Sequence, residues 1–239
     1  MRKHETFILK PMSSVVEEAV LSVAGMGASM ESYPSCSYIR DALMLRLTGF
    51  QEQKLKCIMW EMATDDYEFR YRYVLQKSLG ECSNAGDKQD IFKHIIGQIR
   101  EKAPNYSLSD DLRDDVVNNV KNVMETAFNG TMLKSGSDRE FRDYLDISRD
   151  LTRESFGVDR KLFCGTVGGL NAQDFYANYL YRQRNRLAHN AASYQENIPG
   201  FAVLADPNDR LRNYFLFYAY LMMMDGVFVE AFKKYLTVY

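Results

Sequence analysis

Apolar residues along this chain recur at steps of three and four, the period of helices with one buried face. Ser14 followed by Glu17 has the form of a capping box, and Val15, Val16, Ala19, Val20 and Val23 follow it at helical spacing until Gly25 and Gly27. Ile39, Leu43, Leu47, Phe50, Ile58 and Met62 predict a longer helix after Pro34, continuing or breaking near Asp65 before a segment from Tyr67 to Leu79. A polar loop is expected over Gly80–Gly86, then a helix carrying Ile91, Phe92, Ile95, Ile96 and Ile99 that ends before Pro104. Ser109, with two acids behind it, predicts an N-cap for a helix through Val116, Val120, Val123 and Ala127 to Gly130.

The second half continues in the same mode. Ser137 and Glu140 suggest another capping box, with Phe141, Tyr144, Leu145 and Leu151 on a buried face reaching Gly157, and Cys164–Leu170 reads as a glycine-bearing connection. A helix from about Ala172 places Phe175, Tyr179, Leu180, Gln183 and Leu187 on one side. After a loop with Pro199 and Pro207, Asn208 or Asp209 is expected to cap a last helix to about Tyr235. That helix is apolar almost all round, which predicts a central place in a bundle or an interface between chains. Only Phe7–Leu9 and Phe201–Leu204 suggest short strands. The expectation is therefore an all-α helical bundle, 1–239 as a single domain.

Composition narrows the possibilities. Thirty Lys and Arg against 32 Asp and Glu leave a net charge of −2, which excludes a uniformly basic coat for nucleic acid but not a local basic patch. Four scattered cysteines match neither a disulfide scaffold nor a zinc site, and the three histidines make a histidine-rich metal centre unexpected. No metal or cofactor is expected. The charged N-terminus does not read as a signal sequence. The most apolar run, Tyr214–Met224, falls short of the roughly 20 residues of a membrane span. A soluble cytoplasmic protein with reduced thiols is the expectation.

One segment stands apart: Tyr181-Arg182-Gln183-Arg184-Asn185-Arg186-Leu187-Ala188-His189-Asn190. Guanidinium forks match phosphate oxygens, and imidazole exchanges a proton near neutral pH. Together they suit metal-independent attack on a phosphodiester. On an unbroken helix, Arg182, Arg186 and His189 share a stripe, whereas Arg184 lies about 140° from His189.

The segment resembles the HEPN superfamily (higher eukaryotes and prokaryotes nucleotide-binding), whose signature is Arg, four to six residues, then His, often with a polar residue after the Arg. Arg184, Asn185 and His189 match the four-residue form, and Arg182 satisfies the six-residue form. The family places the motif at the end of one helix, ahead of another long helix. The resemblance implies an HEPN-like core at about 110–239, with the helices of 1–105 as an extension or part of the same bundle. It also implies a homodimer with two motifs facing one cleft. The activity implied is RNA cleavage by 2′-hydroxyl attack, giving a 2′,3′-cyclic phosphate and a 5′-hydroxyl.

In that reading His189 moves the proton, Arg184 binds the scissile phosphate and Asn185 positions one of them. Arg182, Arg186 and Tyr181 contact substrate, with Tyr194 as a further stacking candidate. The helix is expected to loosen before His189. Stand-alone family members often act as toxins or anti-phage effectors, which implies an antitoxin or regulatory partner. The branch paired with a nucleotidyltransferase antitoxin carries Tyr two residues after the His; here Ala191 stands there. The alternatives are a non-catalytic HEPN-like module that binds RNA or protein, and a helical adaptor.

Overall fold

Helix accounts for 77% of the protein and strand for 5%, so the fold is all-α. The computed structural model describes residues 2–27, 29–76, 82–189 and 209–239. Tyr194, the Phe201–Leu204 strand candidate and the Asn208 cap candidate lie outside them.

Two short helices open the chain, α1 (Glu5–Leu9) and α2 (Ser13–Ser22). Phe7–Leu9 is thus helical and not a strand; a run of three apolar residues is too short to display a period. Phe7 packs on Phe50 at 5.1 Å, and Ile8 is fully buried. The Ser14 capping box does not form. Ser14 lies inside α2, and its hydroxyl donates back to the Pro11 carbonyl at 2.8 Å.

Pro34 starts α3 (Tyr33–Asp65), whose 33 residues form one rod along the bundle. The break falls at Asp66, where the backbone turns extended. Its carboxylate accepts the amides of Glu68 and Phe69 and so caps α4 (Tyr67–Gln76). Asn84 caps α5 (Ala85–Lys102), which places Gly86 in a helix where a loop was expected. The five predicted apolar positions of α5 are all buried. Ser109 caps α6 (Asp110–Phe128) as its pattern predicts.

After the short α7 (Met132–Ser135) comes α8 (Asp138–Ile147). Here the predicted box is replaced by a tertiary contact. Arg40 of α3 donates to the Ser137 hydroxyl at 2.6 Å and to Glu140 at 2.8 Å, and Glu140 also accepts the amide of Tyr214.

The segment read as the end of a helix and a plain connection instead holds two small antiparallel hairpins, β1–β2 (Phe156–Val158, Lys161–Phe163) and β3–β4 (Thr166–Val167, Leu170–Asn171). Strands of two or three residues carry no alternation to read. Gly168 and Gly169, both left-handed (φ +55° and +87°), make the two-residue turn of the second. A Cβ at Gly168 would meet the Leu211 side chain at 2.6 Å.

The chain ends in a four-residue α9 (Ala172–Phe175), a wide turn over Tyr176–Leu180, α10 (Tyr181–His189) and the 25-residue α11 (Tyr214–Val238). Asn213, not Asn208 or Asp209, caps α11, accepting the Leu216 amide at 3.0 Å. Asp209 lies instead in a single 3-10 turn ahead of that cap.

Among the described residues α11 is the one helix long and apolar enough to cross a bilayer, and 83% of its most apolar stretch is buried within the fold. Helices from both ends of the chain surround it: α1, α3, α5, α6 and α8. Gly226 lets α6 approach closely, since a Cβ there would meet Val116 at 2.6 Å. The one charge deep in α11, Asp225, is bonded through both oxygens to Lys54 of α3, at 3.0 and 2.8 Å. Both side chains are buried.

Removing one partner leaves the other charge unpaired away from water. Asp225→Ala is expected to destabilise the fold by about 3–5 kcal/mol, measured by denaturant unfolding. The paired replacement Lys54→Met with Asp225→Leu is expected to recover most of that loss.

Candidate functional site

The wide turn before α10 is a single π-turn, closed by the Tyr181 amide on the Tyr176 carbonyl. It buries Tyr176 and Leu180 and delivers α10 across the middle of α3. From Tyr181 to His189 the helix is regular. The loosening expected before His189 occurs upstream instead, at Tyr176–Leu180.

Regularity fixes the placement of the candidate residues. Arg184 and His189 lie about 140° apart around α10 and about 7.5 Å apart along it. Arg184 turns inward: one terminal nitrogen donates to Glu52 Oε2 at 3.1 Å, and the other to Asn185 Oδ1 at 3.1 Å. The side chains of Arg184 and Glu52 are only 21% and 12% exposed. Two of the five guanidinium donors are thereby used, leaving three for another acceptor.

His189 is exposed at the helix end and makes no hydrogen bond or ion pair with another described residue. Arg182 is exposed as well, and Arg186 is half-buried. Tyr181 stacks on the buried Tyr176 ring, with centroids 6.4 Å apart and planes 18° from parallel, so its ring packs within the fold. The structure thus brings Arg184 and Asn185 together, while Arg182 and His189 share the exposed stripe.

Three contributions come from distant sequence. Glu52 is 132 residues from Arg184. It interrupts the apolar spacing of α3 between Leu47 and Leu55, the one local sign of its role. Gln183 donates to the Tyr214 hydroxyl at 2.8 Å, and that hydroxyl donates to Asp41 of α3. This chain ties α10 to both α3 and α11. The third is Lys88 of α5, 1% exposed, whose ammonium donates to the Cys82 carbonyl at 3.0 Å.

The electrostatics follow from burial. Loss of water pushes Lys88 down to about 8, with Arg184 adding to the effect and Glu52 opposing it. Burial raises the Cys82 thiol to about 11 and holds the Tyr176 phenol well above its ordinary value. Cys82 and Tyr176 are accordingly neutral near pH 7, and the charges at this junction belong to Glu52, Arg184 and Lys88.

Comparison of the chain with protein-family models, with curated proteins and with solved structures finds no match.

Lys88 makes a checkable contribution to stability. Unfolded, it keeps its proton up to about pH 10.4; folded, only to about 8. Below pH 8 the buried charge costs stability in full, and the cost fades as pH rises from 8 towards 10.4. Unfolding at pH 7 and at pH 10 is expected to show wild type gaining on the order of 3 kcal/mol relative to Lys88→Met.

Proposed function

We propose that this protein is an endoribonuclease of the HEPN kind, working as a homodimer in the cytoplasm. The observation that carries the reading is a guanidinium fixed by Glu52 and Asn185, with donors to spare, five residues before an exposed histidine. Arg184 holds the scissile phosphate, and Asn185 and Glu52 hold Arg184. His189 takes the proton of the ribose 2′-hydroxyl. That oxygen then bonds to phosphorus, the bond from phosphorus to the 5′-oxygen breaks, and the leaving oxygen receives a proton from an imidazolium. Products are a 2′,3′-cyclic phosphate and a 5′-hydroxyl.

Because Arg184 and His189 diverge by about 140° on one helix, a second copy supplies the convergence. Two α10 helices facing each other pair the Arg184 of one protomer with His189 of the partner subunit. Arg182 and Arg186 line the approach for the RNA backbone. A role as a toxin or anti-phage effector, restrained by an antitoxin or regulatory partner, fits such an activity.

The inward turn of Arg184 favours one second reading, a non-catalytic module that binds RNA along Arg182 and Arg186.

Cleavage of RNA in excess chelator separates the two. His189→Ala is expected to lower the rate by about 10²–10⁴-fold and Arg184→Ala by about 10²–10³-fold, with Arg182→Ala within a few-fold of wild type. Rate per chain should fall on dilution as dimers part. Binding without cleavage in the wild type supports the module, and a large loss in Arg182→Ala with none in Arg184→Ala moves the catalytic arginine to 182.

A further inference from the structure

Behind the Arg184–Glu52 pair lies a cation that the proposed chemistry leaves unused. Lys88 is held in the first turn of α5, almost wholly out of water. Its ammonium has three donors, and its acceptor is a single carbonyl, that of Cys82. It stands 5.7 Å over the Tyr176 ring, whose hydroxyl donates to the Ser83 carbonyl at 2.5 Å. The groups that act on it come from every neighbouring element: Glu52 from α3, Arg184 from α10, Cys82 from the preceding segment and Asp87 from its own helix. Two cations therefore share the Glu52 carboxylate, one from the interior and one from the surface.

We propose that Lys88 is a positioning residue for Arg184: its ammonium draws on Glu52 from inside, weakens that carboxylate's hold on the guanidinium, and leaves the cluster one surplus positive charge towards an RNA phosphate. The proposal rests on the reading of Arg184 as the phosphate-binding group. Without the ammonium, Glu52 and Arg184 neutralise each other and the attraction for phosphate weakens. The burial that brings Lys88 to about 8 puts this change within reach of ordinary buffers.

The probe is a 2′-O-methyl RNA oligonucleotide, which lacks the nucleophile and cannot be cut, with binding followed by fluorescence anisotropy. Wild-type affinity is expected to fall about tenfold as pH rises through 8. Lys88→Met should bind weakly and lose that step, and adding Glu52→Gln to Lys88→Met should restore the affinity. A wild-type pH profile retained in Lys88→Met overturns the proposal, as does the same loss from Lys88→Met whether residue 52 is Glu or Gln.

A second measurement needs neither RNA nor a variant. The Arg184 Nε–H resonance of the wild type is expected to shift with a midpoint near pH 8, and a stationary resonance overturns the proposal. Binding with the expected coupling but no cleavage of unmodified RNA discards the nuclease and keeps Lys88. Cleavage without the coupling does the reverse.

Discussion

A helix with no polar face has to be covered on every side, and α11 imposes that condition on the whole chain. Phe215 through Asp225 are all buried, so neither half of the sequence alone encloses it. α1, α3 and α5 arrive from the first 105 residues, α6 and α8 from the remainder. Burial of this kind is the dominant favourable contribution to folding, and it accounts for otherwise costly features. The Lys54–Asp225 pair keeps two charges out of water because α3 and α11 meet there. Gly226 gives up a side chain so that α6 can close the remaining flank.

α3, held against α11, becomes the floor on which α10 rests. Its carboxylates at Asp41 and Glu52 take hold of α10 by different means, one through the Tyr214 hydroxyl and Gln183, the other directly through Arg184. Because the floor is a single 33-residue rod, the two anchors cannot shift independently. Arg184 is consequently oriented by the core, while His189, at the free end of the same helix, faces solvent.

Where local chemistry decides, the sequence was readable. Ser109 capped its helix, and the isoleucines of α5 faced inward, because caps and stripes depend on residues a few positions apart. Ser137 with Glu140 had the right spacing for a capping box, but Arg40, 97 residues away, claimed the serine hydroxyl. The hairpins between Phe156 and Asn171 were too short to carry a period. At the candidate site, the adjacency of Arg184 and Asn185 was legible, and so was the angle separating Arg184 from His189. Glu52 and Lys88 were not, since only the packing of α3 and α5 brings them near α10.

The π-turn at Tyr176–Leu180 decides which side chain of α10 Glu52 receives. An α-turn with the same sequence would carry each later residue one slot onward, presenting the Gln183 amide to Glu52 and swinging Arg184 away by about 100°. A chain one residue shorter in that stretch, wound as an ordinary helix, would again bring its arginine opposite the carboxylate. The turn thus acts as a length adjuster: it accommodates one extra residue between the buried aromatics and the cationic stretch without disturbing their shared phase.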